Sequence, residues 1–150
     1  MDTKAIEEMV RKVLGEIIAE RGECCSAEKV RHVDSSGIIS IKLPQIRPEP
    51  FDTGKPGDKV LLSDLVSLEE SPRLGLGLME MDHSSFDWTL NYDEVDYIIE
   101  GRLEVLINGR KVAADKGEII FVPKGSSITF SAPDFARFIY VVYPADWANQ

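Results

Sequence analysis

From Ile38 onward the chain is a succession of short apolar runs that alternate with polar residues and are separated by turn residues. Period-two alternation is typical of strands that bury one face. The pair Asn108-Gly109 stands between two such runs and indicates a two-residue hairpin, because both positions tolerate positive φ. Many short strands at regular spacing predict an all-β barrel or sandwich over residues 38–150.

Residues 1–21 follow a helical period instead, with apolar residues at steps of three and four: Ile6, Met9, Val10, Val13, Leu14, Ile17 and Ile18. Charged residues interrupt this stretch, so it does not resemble a signal peptide, and no stretch approaches the roughly 20 apolar residues of a membrane span. Residues 22–37 are mostly polar or small and predict a linker. We therefore expect a cytoplasmic protein with a short N-terminal α-helix, a linker and one barrel domain.

The formal net charge of −9 does not favour nucleic acid as a partner, because affinity for phosphates comes mainly from clustered Lys and Arg. The two cysteines, Cys24 and Cys25, are adjacent in the sequence. A disulfide between them would be strained, so we expect both thiols to be reduced.

Two segments of the strand region resemble the motifs of the cupin superfamily. In Glu94-Val-Asp-Tyr-Ile-Ile-Glu-Gly101 the glutamate precedes a glycine by seven positions, as in the first motif. Gly117, Pro123 and Gly125 match the second motif. The resemblance implies a double-stranded β-helix, or jelly-roll, barrel.

Metal-binding cupins carry three histidines and one glutamate at four ligand positions. Here those positions hold Trp88, Leu90, Glu94 and Ile128, so one of the four ligands remains. Imidazole is the ligand that suits zinc, iron, nickel and copper. We therefore expect no transition metal, and we expect Trp88 to fill the core volume where a ligand would otherwise be.

Three longer blocks, residues 86–94, 121–127 and 135–147, resemble the EutQ family of ethanolamine-utilisation proteins. The resemblance implies a role in ethanolamine breakdown in a bacterial microcompartment, and acetate kinase activity with ATP as the phosphoryl donor. It also implies that residues 1–20 dock onto a shell or cargo protein. In the alternative interpretation, the apolar stripe of that helix packs on the barrel or on a second copy of the chain. A homodimer is expected in both interpretations.

Glu94 and Asp96 are two residues apart and share one face of a regular strand. Two carboxylates in one cavity suit Mg²⁺ with waters completing its shell. Alternatively, their mutual repulsion raises one pKa and creates a general acid or base. In a third interpretation Asp96 pairs with a nearby cation and has only a structural role in the barrel.

Phosphoryl transfer to acetate also needs fixed positive charge near the migrating phosphoryl group. The candidates are Arg137, within an apolar strand, and Lys124, in the Pro-Lys-Gly-Ser-Ser turn. We predict Glu94, Asp96 and Arg137 as catalytic residues and Lys124, Tyr92 and Tyr97 as substrate-binding residues. The alternatives are that Arg137 faces solvent and that the tyrosines belong to the core.

Two functions therefore stay open. The first is an acetate kinase that interconverts acetate and ATP with acetyl phosphate and ADP. The second is a non-catalytic assembly protein or small-molecule-binding cupin associated with a microcompartment shell. Fold by itself does not decide between them.

Overall fold

The computed structural model describes residues 30–149, and the chain divides into two compact units, Met1–Ile46 and Arg47–Gln150. In the first unit, β1 (Arg31–Val33) pairs antiparallel with β2 (Ile39–Ile41), and a 3-10 turn follows at Leu43–Gln45. The predicted helix over residues 1–21 lies outside the described residues. Within the predicted linker over 22–37, the described residues include the short strand β1.

The second unit confirms the predicted all-β jelly-roll architecture. Its strands are β3 (Glu49–Pro50), β4 (Lys59–Asp64), β5 (Gly75–Thr89), β6 (Asp93–Ile107), β7 (Arg110–Asp115), β8 (Ile119–Val122) and β9 (Ser127–Tyr143). All pairings are antiparallel, in the order β3-β4-β5-β9-β6-β7, with β8 on the first half of β6. The helical elements within residues 30–149 are two 3-10 turns, Leu43–Gln45 and Trp147–Asn149, and neither is long and apolar enough to cross a membrane.

Three long strands, β5, β6 and β9, run through both halves of the barrel. The β5–β9 ladder is interrupted between Asp82 and Ser84, where His83 takes φ 46°. The β6–β9 ladder is interrupted between Gly101 and Glu104. These irregularities bend the long strands, so one continuous set of ladders wraps around a single apolar core.

Inward-facing residues of the long strands fill this core, and two strands approach closely where Gly77 lies opposite Tyr140. A Cβ on Gly77 would overlap the Tyr140 ring. Glycine is required there because only a bare backbone leaves room for a buried tyrosine on the neighbouring strand.

The outer surface of β6, β8 and β9 carries a group of exposed apolar side chains. It consists of Tyr97, Ile119, Phe121 and Tyr143, which are 44%, 62%, 60% and 57% exposed. Tyr97 lies opposite Ile119, and the partner of Phe121 on β6 is Val95. We call these four residues the outer-face cluster. Contiguous exposed apolar surface of this kind is typical of a protein–protein contact.

Candidate functional site

The first half of β6 places two acidic side chains inside the barrel. Glu94 lies between Val122 and Val142 in the ladders, and Asp96 lies between Ile120 and Tyr140. The exposed fraction is 6% for Glu94 and 0% for Asp96. The regular strand therefore puts both carboxyl groups on the inner face, because residues two apart on a strand point the same way.

Burial determines the protonation of this pair. Loss of hydration raises the pKa of Glu94 to about 7, although the hydrogen bond with Asp96 acts in the opposite direction. Loss of hydration, together with repulsion from Glu94, raises the pKa of Asp96 well above its ordinary value. Neither oxygen of Asp96 accepts a hydrogen bond from a donor group. Within the pair, Asp96 is therefore the carboxyl group that holds the proton and donates it to Glu94.

Glu94 faces a cavity of about 20 Å³, which is room for about one water molecule. Apolar and aromatic side chains make up the rest of the wall, and no Lys, Arg or His lines the cavity in the described part of the chain. The lining residues are Phe51, Leu62, Met79, Phe86, Trp88, Tyr92, Glu94, Phe130, Tyr140 and Trp147.

Hydrogen bonds fix the aromatic wall. Trp88 Nε1 donates to the Tyr92 hydroxyl at 2.8 Å, and the Tyr140 hydroxyl donates to Asp64 Oδ1 at 2.7 Å. Trp147 Nε1 makes a longer contact to the same Asp64 oxygen, at 3.4 Å. Burial is the main cause that raises the pKa of both tyrosines. Both hydroxyls therefore stay neutral at physiological pH.

The positions that bind metal in other cupins are closed by apolar side chains. Leu90 and Ile128 are buried, and Trp88 lies opposite Ile128 in the β5–β9 ladder. Trp88 is only partly buried and forms part of the cavity wall, so it does more than fill the core.

The remaining acid pair, Glu94 and Asp96, does not fit magnesium. Mg²⁺ prefers carboxylate oxygens but keeps several waters in an octahedral shell. The cavity has room for about one water, and within residues 30–149 no group of three or more His, Cys, Asp or Glu side chains could hold a metal ion.

Two predicted site residues lie on the opposite side of the sheet from the acid pair. Asp96 pairs with the inward-facing Tyr140, so odd-numbered residues of this part of β6 and β9 face outward. Arg137 is one of them and forms an ion pair with Glu80 on β5. Tyr97 is another and belongs to the outer-face cluster. The expectation that both residues share the interior site is corrected, because strand alternation separates them from it.

Lys124 is exposed in the turn between β8 and β9. Its backbone N–H donates to Asp93 Oδ1 at 2.8 Å, and the N–H of Gly125 donates to the Leu90 carbonyl at 2.7 Å. These bonds tie the turn to the segment that carries Tyr92. Lys124 therefore lies beside the cavity wall but outside the cavity.

Several wall residues were not predicted from the sequence. Phe51 precedes β4, Phe86 is in β5, and Trp147 follows β9. Asp64, which ends β4 and accepts the hydrogen bond of the Tyr140 hydroxyl, was not predicted either. Phe51 and Trp147 nevertheless contact each other, with ring centroids 6.4 Å apart. The sequence does show aromatic residues clustered in blocks 86–94 and 135–147, which could have indicated a shared site. Whether these residues lie at one cavity, however, depends on long-range strand pairing.

Comparisons with known proteins agree with this architecture. The solved structure of the Clostridium difficile EutQ protein matches with a TM-score of 0.79 and 62% identity, over 81% of this chain and 90% of that one. The Cnp3 cupin domain of Schizosaccharomyces pombe matches at 17% identity, with a TM-score of 0.57, over 73% of this chain and 77% of that one. The second likeness shows the cupin fold alone.

Sequence relatives extend the match to the whole chain. A Clostridioides difficile protein named "Acetate kinase EutQ" is 56% identical over 100% of this chain and 96% of its own length. A Salmonella typhimurium protein of the same name is 44% identical over 75% of this chain, and the match covers 49% of that relative. The model of the family "Ethanolamine utilisation protein EutQ" matches residues 1–149. The chain therefore belongs to the EutQ family of ethanolamine-utilisation proteins.

Proposed function

We propose that this chain is an acetate kinase of ethanolamine utilisation, which interconverts acetate and ATP with acetyl phosphate and ADP. The observation that carries the proposal is the 56% identity, over the whole chain, with the C. difficile relative that has this name. The aligned region covers 96% of that relative. The relative therefore has no further domain, outside the aligned region, that could carry the activity.

The chemistry restricts where a nucleotide can lie. An acetate oxygen attacks the terminal phosphorus of ATP, the bond to the bridging oxygen breaks, and ADP leaves. Positive groups must stabilise the charge on the phosphoryl oxygens. The cavity is too small for a nucleotide and has an acidic floor. Nucleotide phosphates therefore belong outside the cavity, where Lys124 is the candidate to contact them.

We expect Lys124→Ala to lower kcat/KM for acetyl phosphate formation roughly 10- to 100-fold, because a hydrogen bond to a charged group contributes about 1.5–3 kcal/mol. Acetyl phosphate can be measured as the hydroxamate or by phosphorus NMR. Lys116→Ala, in the exposed turn before β8, is the matched control and should keep the wild-type rate. No acetyl phosphate from the wild-type protein would contradict the proposed function, whereas an unchanged Lys124→Ala variant would remove only Lys124 from it.

The same assay tests the acid pair. If Glu94→Gln or Asp96→Asn loses turnover while thermal stability is kept, the pair takes part in the reaction. If turnover is unchanged, the pair is excluded from phosphoryl transfer. Glu100→Gln, an exposed position on the same strand, controls for the loss of a carboxylate.

The second candidate function is a non-catalytic, small-molecule-binding cupin. The observation that favours it is the aromatic cavity, whose described lining residues include no cation that could bind phosphate. Acetate kinase activity and ligand binding are therefore measured separately, because one fold serves both.

We also propose a homodimer that forms through the outer-face cluster. A mass of twice 16.7 kDa is expected by light scattering for the wild-type protein. Replacing Phe121 by Ser should raise the dissociation constant of the dimer on the order of 1,000-fold. A two-fold interface contains Phe121 from both subunits, and each replacement loses about 2 kcal/mol of apolar burial. Val112→Ser, an exposed apolar position on β7, is the control. A monomeric wild-type protein would contradict this proposal.

Docking of residues 1–20 to a microcompartment shell or cargo protein stays a prediction, because those residues lie outside the described part of the chain. Deletion of residues 1–20 should abolish co-localisation with the shell in cells. Persistent targeting of the truncated protein would contradict the prediction.

A further inference from the structure

The cavity wall gathers aromatic rings around one carboxyl group. Phe51, Trp88 and Trp147 contact one another, with ring centroids 6.0, 6.2 and 6.4 Å apart. Tyr92 and Tyr140 each contact Trp147 at 6.3 Å. Aromatic faces carry partial negative charge and attract cations. Two of the wall donors are already engaged, because Trp88 donates to Tyr92 and Tyr140 donates to Asp64.

The floor of the cavity adds a formal charge. Glu94 is the one charged side chain among the described residues that line it, and Asp96 lies next to Glu94 on the inner face. Both Asp96 oxygens are buried without a hydrogen-bond donor. Buried polar atoms without partners are unfavourable, so a ligand that brings N–H donors and positive charge to this floor would stabilise it.

We propose that this cavity binds a small primary ammonium ion, whose N–H groups donate to Glu94 and whose carbon atoms lie against the aromatic wall. An ammonium group supplies three donors and no acceptor, which matches a floor made of carboxyl oxygens. Acetate, in contrast, meets ring faces and a carboxylate that both repel it. The volume of about 20 Å³ fits an ammonium head of about the size of water and is too small for a quaternary ammonium ion. This site goes beyond acetate kinase activity, in which no step uses an ammonium ion.

The binding should depend on pH through Glu94. The titratable groups around it are Asp96 on the same strand, Tyr92 on the preceding loop and Tyr140 on β9. Both tyrosines stay neutral between pH 6 and 8, because burial raises the pKa of each. Burial, together with repulsion from Glu94, raises the pKa of Asp96 well above its ordinary value. With the pKa of Glu94 at about 7, the ionised fraction rises roughly tenfold from pH 6 to pH 8.

Tryptophan fluorescence measures this binding directly, because the chain has two tryptophans and both line the cavity. The full-length protein is titrated at pH 8 with methylammonium chloride, and the affinity is compared with that at pH 6. We expect saturable binding that is about tenfold weaker at pH 6. Glu94→Gln should weaken it at least tenfold, whereas Glu100→Gln should bind like wild type.

Sodium acetate, sodium chloride and tetramethylammonium chloride test charge and size, and ethanolamine hydrochloride tests a longer primary ammonium ion. Stronger binding of acetate than of methylammonium, or equal binding by wild type and Glu94→Gln, overturns the proposal. Asp96→Asn keeps the Glu94 carboxylate and leaves a neutral group that can donate a hydrogen bond to it, so this variant should still bind methylammonium at pH 8. If the Asp96→Asn variant does not bind methylammonium, the proposal also fails. The titration contains no ATP, so its outcome is independent of the acetyl phosphate assay.

Discussion

Gly101→Ala should lower the free energy of unfolding by about 3 kcal/mol. Two costs add up: the alanine must adopt a left-handed backbone conformation, and its Cβ must fit into space that is already filled. Gly101 has φ 74°, and a Cβ there would overlap the backbone carbonyl of Phe135 on the neighbouring strand. Backbone atoms of a paired strand cannot move aside as a flexible side chain can. The expected fall in Tm is roughly 10 °C, measured by calorimetry or circular dichroism.

Gly109→Ala is the matched control for this prediction. Gly109 has nearly the same φ, 73°, but a Cβ there would have nothing within 4 Å. It should therefore cost only the strain of the left-handed backbone, about 1 kcal/mol. Equal losses in the two variants would show that steric overlap with Phe135 is not what makes glycine necessary at position 101.

The free energy of unfolding of the wild-type protein should fall by about 2 kcal/mol as the pH rises from 5 to 7, because the pKa of Glu94 is raised from 4.5 to about 7 on folding. In that range the folded state holds a proton that the unfolded state has released. Asp96 acts in the same direction. The pKa of Asp82, lowered mainly by its bond to His83, and that of Glu104, lowered mainly by Lys111, affect stability only at more acidic pH.

Asp96→Asn should remove the part of this loss that Asp96 contributes. The amide is neutral in both states and can donate to Glu94 as the Asp96 carboxyl group does, so the variant no longer has to keep a buried aspartic acid protonated as the pH rises. At pH 8 the variant should be more stable than wild type by about 2 kcal/mol in urea denaturation. Glu100→Gln, exposed on the same strand, should leave the pH profile unchanged. A wild-type profile that is flat between pH 5 and 7 would contradict the assignment of a buried, proton-sharing pair.

Local patterns were enough to predict which segments form strands and that the barrel lacks its histidine ligands. Alternation over residues 38–150 and the hairpin at Asn108-Gly109 correspond to β2–β9, including the β6–β7 turn. The spacing of Glu94 and Asp96 likewise predicted a shared face, because the side-chain period of a strand is fixed by backbone geometry. The strand at Arg31–Val33 was not predicted, since three residues are too few to establish a period.

The sequence by itself determined the all-β barrel, the family and the acid pair, because these depend on local periodicity and on motifs read within one segment. Only the tertiary structure decided which residues share the cavity. The β6–β9 register places Arg137 and Tyr97 outside, although the sequence grouped them with Glu94. Long-range pairing brings Phe51 and Trp147 against Trp88. The resulting enclosure removes water from the two acids, and this dehydration gives them a shared proton at neutral pH.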